Sequence, residues 1–383
     1  MTAEETPASS TDDETTQAQT TTDVTTDATA DSQEAAPTTE ALEWHAPVMV
    51  RIDEHTTIPH LLKERVQRGA TRPLILRKVG IGDTWRSISA RDFYDEVQSV
   101  AAGLMARGLE PGDRVAIMSR TRYEWTLLDF ACWAAGLVPV PIYETSSIDQ
   151  VAHVLVDADV HLIITETVSM AEIVRAAAER ENRDNTHVLS LDSEAIETLI
   201  AEGSATPRER VLARSEALTK DDIATIVYTS GTTGTPKGTV LSHENFTNLC
   251  LNAHAWMPEI AAGKNSRLLL FLPLAHVFAR FLQVFQISGN GVLGHASNIK
   301  NLLNDLASFK PSYLLVVPRV LEKIYNSADT KASGPKRKIF RWAAKVAIAY
   351  SQALDTEEGP TASLKAQHAL ADKLVYQQII RLV

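Results

Sequence analysis

Two spacings of hydrophobic residues alternate along this chain. Short runs rich in Val, Ile and Leu predict buried strands at 112–119 (GDRVAIMS, opening on a turn), 138–143, 160–165 and 187–191. Between them, apolar residues recur every three or four positions, which predicts helices at 123–135, 148–157 and 169–180. Buried strands joined by helices are the pattern of βαβ units and a parallel sheet. The predicted fold class is therefore α/β, doubly wound, with mostly parallel sheets and flanking helices.

The pattern resumes at residue 225. A strand at 225–228 is followed by a glycine-rich segment. Ser242 then caps a helix running to about residue 252. Further strands are expected at 267–272 and 312–317, with helices at 277–287 and 299–309. Pro318 opens a helix to 325, a favoured place for proline. Residues 329–335 (DTKASGP) read as a loop. Residues 336–354 form an amphipathic helix with Ile339, Ala343, Val346, Tyr350 and Leu354 on one face and a basic start at Lys336, Arg337, Lys338, Arg341 and Lys345. That start reads first as a solvated face, and second as a weak attraction to an anionic membrane surface.

Composition changes the picture at the N-terminus. Residues 1–43 hold eleven acidic side chains and no Lys or Arg, and almost no large apolar residues. Such a segment cannot bury enough surface to offset chain entropy and is expected to be a disordered acidic tail. It accounts for the whole net charge of −11, because residues 44–383 contain 37 acids and 37 bases. Bulk charge gives no reason to expect nucleic-acid binding. Cys132 and Cys250 both lie in apolar stretches and read as buried small hydrophobes in a reducing compartment. The most apolar stretch, 268–278, is too short to span a bilayer. No secretory signal pattern opens the chain, so the expected location is cytoplasmic, with a membrane-peripheral contact as the alternative.

The chemistry concentrates in residues 228–238, YTSGTTGTPKG. The segment follows a strand, which places it at the carboxyl edge of a sheet, where α/β proteins bind ligands. Gly231 and Gly234 allow close backbone approach to a phosphate. Thr229, Ser230, Thr232, Thr233 and Thr235 supply hydroxyls, backbone N–H groups in such a turn can form an anion-binding concavity, and Lys237 supplies a full positive charge. The Walker A pattern needs Lys followed by Ser or Thr at a helix start. Pro236 before the lysine and Gly238 after it do not fit. A flexible linker has no reason to combine this strand, these hydroxyls and this lysine.

The segment, with LSHENF after it, resembles the phosphate-binding signature of the adenylate-forming (AMP-binding) superfamily. LPLAHVFAR, ending at Arg280, resembles that family's second core motif. VVPRVLEKIYN, ending at Asn326, and the basic helix after it are similar to bacterial long-chain fatty acyl-CoA synthetases. The resemblance covers residues 44–383 and implies the large N-terminal domain of such an enzyme, with 329–383 mostly helical. It implies ATP-dependent formation of an acyl-adenylate from a long-chain fatty acid, then transfer to coenzyme A. It assigns Thr229, Ser230, Gly231, Thr232, Thr233, Gly234, Thr235 and Lys237 to the nucleotide phosphates, and Thr229 to the vicinity of Mg. His276 takes a catalytic role in orientation and charge stabilisation, and Arg280 and Phe281 help shape the acyl entrance. The family's adenine, ribose, hinge and catalytic-lysine motifs do not occur in this sequence, so a truncated fragment is expected. The other readings are an adenylate-forming ligase for an aryl, amino or shorter acyl acid, and an inactive nucleotide-binding fragment.

Overall fold

The computed structural model describes residues 47–383 other than 81–83, 184, 230–234, 262, 264–265 and 381–383. Every element below belongs to the unit Val48–Val383, and the acidic tail expected over residues 1–43 lies outside the described residues. Helix α1 (Ile58–Gly69) leads into β1 (Pro73–Lys78), β2 (Trp85–Ser89) and α2 (Ala90–Ala106). An alternating run follows: β3 (Arg114–Met118), α3 (Tyr123–Ala134), β4 (Val138–Ile142), α4 (Ile148–Asp157), β5 (Leu162–Thr165), α5 (Val168–Arg180) and β6 (His187–Ser190). Helices α6 (Ala195–Gly203) and α7 (Arg208–Ala217) precede the pair β7 (Ile223–Thr229) and β8 (Lys237–Ser242). Then come α8 (His243–Trp256), α9 (Pro258–Ala261), β9 (Arg267–Leu270), α10 (Val277–Ser288), β10 (Val292–His295) and α11 (Leu302–Phe309). Helices α12 (Pro318–Lys331), α13 (Gly334–Leu354) and α14 (Ala362–Ala371) follow, and a π-helical turn (Asp372–Tyr376) runs into α15 (Gln377–Ile380).

The alternating run builds an all-parallel sheet in the order β4-β3-β5-β6. A second sheet, β2-β1-β10-β9, is parallel except for the edge strand β2. The doubly wound, mostly parallel α/β class holds. Side chains on successive strand residues point to opposite faces. Val115 and Ile117 of β3 thus enter the main core, while Ala116 and Met118 enter a second core under α4 and α5. Helix α3 is buried along its whole length, and the main core's aromatic stack runs through it: Phe93–Phe130 at 5.7 Å and Phe130–Trp133 at 5.1 Å, both edge to face. Cys132 and Cys250 are free and buried, as expected.

Polar side chains on α3 have to find partners inside that core. Asp129 and Arg280 of α10 are both fully buried and form a bidentate pair, Nε to Oδ2 at 3.0 Å and Nη2 to Oδ1 at 2.5 Å. The guanidinium lies between Trp125 and Trp133, 5.5 and 5.4 Å from their ring centres. It also donates through Nη1 to Thr225 of β7, whose hydroxyl donates to the Pro139 carbonyl of β4 at 2.7 Å. Gln283 donates to Asp129 at 2.9 Å, which turns its carbonyl toward the Thr126 hydroxyl, 2.7 Å away. Thr126 spends its one proton there, so His295 Nε2, at 2.7 Å, must be the donor to Thr126.

The structure departs from the sequence expectation between residues 312 and 335. Residues 312–317 form no strand; one bridge, Leu268 to Tyr313, is all that pairs. Helix α12 continues to Lys331 through the segment read as a loop, and α13 begins at Gly334. Asp329 explains the short connection: Arg337 and Arg341 both bond its carboxylate at 2.7 Å, clasping α12 to α13. This takes two of the five cations from the basic start. Of the face predicted on α13, Ala343 and Val346 are buried while Ile339 and Leu354 are exposed. Among the described residues, no helix is long and apolar enough to cross a membrane.

Removing one partner of a buried ion pair leaves an uncompensated charge, at a cost of about 3–5 kcal/mol. Asp129→Ala is expected to lose that much in urea unfolding. The apolar double replacement Asp129→Leu/Arg280→Met should recover most of it.

Burial also pushes His243 and His295 down to about 4, so both are neutral in the folded protein. As pH falls below 6.5 the unfolded chain takes up protons that the folded state refuses, so stability drops between pH 6.5 and 4 and then levels off with respect to these groups. The expected loss is on the order of 3 kcal/mol per histidine. Urea midpoints for wild type and His243→Asn/His295→Gln across that range test this, since the double variant should show the shallower slope.

Candidate active site

Strands β7 and β8 form an antiparallel pair whose register closes on Tyr228 opposite Gly238 and Thr229 opposite Lys237. The sequence expectation had no strand after the lysine. The glycine-rich segment is thus the connection of a hairpin, with the lysine on the returning strand. Gly238 has a packing reason: a Cβ there would meet Ile226 Cγ2 at 2.8 Å and the Tyr228 ring at 3.1 Å. Ser230, Gly231, Thr232, Thr233 and Gly234 lie outside the described residues, so Thr229, Thr235, Pro236 and Lys237 locate the segment.

A cleft of about 420 Å³ opens beside this hairpin. One wall is the carboxyl end of β4, Pro141 and Ile142, continued by Tyr143 and Ser146. Gln150 and Val154 of α4 and the Val227–Thr229 end of β7 form the next wall, and Pro236, His276 and Val277 close it. The structure therefore brings together Thr229, the Pro236 turn and His276. Thr235 and Lys237 are exposed beside it and are not part of its lining.

His276 sits immediately before α10 as its N-cap residue, beside the positive end of the helix dipole. Its Nδ1 accepts from the Phe278 N–H at 3.3 Å, so in the neutral ring the proton is on Nε2, which is left as a donor. The loop carrying it is fixed from behind by Thr121, buried in the β3–α3 connection. The Thr121 hydroxyl donates to the Leu272 carbonyl at 2.7 Å and accepts from the Leu274 N–H at 3.1 Å. Arg280, four residues past His276, is not at an acyl entrance. It is fully buried against Asp129, a partner that sequence spacing could not indicate.

Among the described residues no carboxylate lines this cleft, and no three His, Cys, Asp or Glu side chains gather as a metal cage. Thr229 can give one hydroxyl oxygen to a Mg ion carried on phosphate oxygens, a usual arrangement for that ion. A second cleft, also about 420 Å³, is lined by Arg77, Lys78, Arg120, Arg122, Glu124, Glu166 and Asp305. Its cations are engaged with its own carboxylates: Arg120 with Glu166, Arg122 with Glu124, and Lys78 with Asp305. The first cleft, with a donor imidazole, a helix start and a hydroxyl-rich hairpin, is the one suited to an anionic ligand.

A cleft at the carboxyl ends of the strands is where α/β proteins of this class bind their ligands. The sequence matches the AMP-binding enzyme family over residues 62–363, and the chain belongs to that family. It is 38% identical over 340 residues to the long-chain-fatty-acid–CoA ligase FadD15 of Mycobacterium bovis and to that of Mycobacterium tuberculosis. Each match covers 88% of this chain and 56% of the relative. The rat long-chain-fatty-acid–CoA ligase ACSBG2 is 29% identical over 346 residues, covering 81% of this chain and 50% of that protein. The chain thus spans about half the length of the curated relatives it matches. A Mycobacterium tuberculosis fatty acyl CoA synthetase shares the fold with a TM-score of 0.61 at 22% identity, over 74% of this chain and 54% of that one. So does the N-terminal domain of FACL13 from the same organism, with a TM-score of 0.58 at 22% identity, over 73% and 68%.

Thr121→Val removes both bonds to the His276 loop and leaves two buried backbone groups unpaired. The expected loss is about 1–3 kcal/mol, read by urea unfolding. Thr121→Ser, which keeps the hydroxyl, should lose far less.

Proposed function

We propose that this chain is the phosphate-binding part of a ligase that activates a long-chain fatty acid with ATP and passes the acyl group to coenzyme A. One observation carries this reading: the His276 imidazole and both ends of the glycine-rich hairpin meet at a single cleft. The likeness to fatty acid–CoA ligases supplies the substrate class.

In the first half-reaction the fatty acid carboxylate attacks the α-phosphorus of ATP, and the bond to pyrophosphate breaks. In the second, the coenzyme A thiol attacks the acyl carbonyl and AMP leaves. Reactions of this kind depend on positioning and on donors aimed where charge develops. Thr229, Ser230, Gly231, Thr232, Thr233, Gly234 and Thr235 take the β- and γ-phosphates through hydroxyls and backbone N–H groups, and Lys237 follows them with its charge. Thr229 would lie near the Mg ion that accompanies ATP, where its hydroxyl would give the ion one oxygen. His276 Nε2–H stabilises negative charge between the carboxylate and the α-phosphate without transferring a proton.

Exchange of labelled pyrophosphate into ATP, dependent on a long-chain fatty acid, reads the first half-reaction. In the smallest form of the enzyme that supports exchange, Lys237→Ala and His276→Ala are each expected to slow it about 100-fold. Exchange at the wild-type rate in Lys237→Ala would contradict the assignment.

A further inference from the structure

Among the described residues, the β7–β8 pair is hydrogen-bonded as a strand to neither four-stranded sheet. A two-stranded hairpin is marginal alone, yet its end must hold Thr229 and Lys237 in register with a ligand. Its base is tied by Thr225 to the Pro139 carbonyl. Its far end is gripped by α4.

The grip has two parts. His153 Nε2 lies 2.7 Å from the Pro236 carbonyl oxygen. A carbonyl only accepts, so His153 donates and carries its proton on Nε2. Four residues on, along the same helix face, Asp157 accepts from the Tyr228 hydroxyl at 2.5 Å. The His153 ring also meets the Tyr228 ring edge to face, 5.7 Å between centres and 85° between planes. Ile226 and Tyr228 pack on the core beneath α4. Tyr228 immediately precedes Thr229, and Pro236 immediately precedes Lys237. Both strands are thus held one residue away from a group assigned to phosphate.

We infer that His153, with Asp157, is a positioning residue for phosphate binding. It fixes the end of the hairpin so that Thr229 and Lys237 address the same anion. This rests on the function proposed above. Neither side chain touches the phosphates; each acts through the hairpin.

Calorimetric titration of the 383-residue chain with MgATP and with magnesium pyrophosphate tests this. Lys237→Ala should weaken binding of both probes. His153→Ala should raise Kd about five- to tenfold, the worth of one well-placed hydrogen bond. His153→Gln places an N–H donor at the same reach and should return Kd to within about twofold of wild type, a recovery that separates positioning from simple loss of folding. Tyr228→Phe, which keeps the ring and loses the bond to Asp157, should raise Kd about threefold. Wild-type affinity in His153→Ala, or no recovery in His153→Gln, overturns the inference while a weakened Lys237→Ala leaves the phosphate site standing. A wild-type chain that binds neither probe overturns both.

Discussion

The buried pair between Arg280 and Asp129 is the constraint on which the site's geometry depends. Taking two charges out of water is costly, and an apolar pair of the same size is often as stable. What such a pair adds here is direction. A guanidinium is a planar fork, so its bonds to Asp129 fix where its remaining N–H must point. That bond goes to Thr225, which spends its own proton on Pro139. One side chain therefore sets the spacing of α10, α3, β7 and β4. Gln283, Thr126 and His295 extend the same chain of bonds to β10. His276 lies one helical turn before Arg280, and Thr229 lies four residues after Thr225. The two chemical groups of the cleft hang from two directly bonded members of one buried network.

The hairpin explains why this glycine-rich segment departs from the Walker pattern. A Walker lysine stands at a helix start, and the helix supplies N–H groups. Here the chain returns as β8 and the lysine sits opposite Thr229. The helix start beside the cleft comes from α10, behind His276. Hydroxyls and lysine from one element are therefore combined with a helix terminus from another. Gly238 is needed for the packing of Tyr228 and Ile226 as much as for any loop conformation.

Much of the fold was legible from spacing. In the βαβ run from β3 to β6, strands β3, β4 and β5 are buried on both faces, and helices such as α4 carry their own caps, Ser147 with Gln150. The Ser242 cap of α8 was equally plain. Strand β8 was not, because KGTVLS has no buried residue and lacks a buried strand's apolar run. Residues 312–317 misled for the opposite reason: YLLVV has the composition of a strand but pairs through a single bridge. At the site, His276 and the hairpin were found from their motifs. Arg280, set at the acyl entrance by the family resemblance, is fully buried, and its partner lies 151 positions away. His153 carried no signal at all, since a lone histidine on a helix has no periodic context that announces a backbone carbonyl from another element.

The central claim is that one anionic nucleotide engages His276 and the hairpin end together. Long-range proton–nitrogen spectra of the histidine rings, recorded while MgATP is added to the chain, test it most directly. The account predicts that His276 and His153 both carry the proton on Nε2, that the His276 ring nitrogens shift on saturation with smaller shifts at His153, and that the buried rings of His243 and His295 stay where they are. MgATP bound at saturation with the His276 signals unmoved would contradict it.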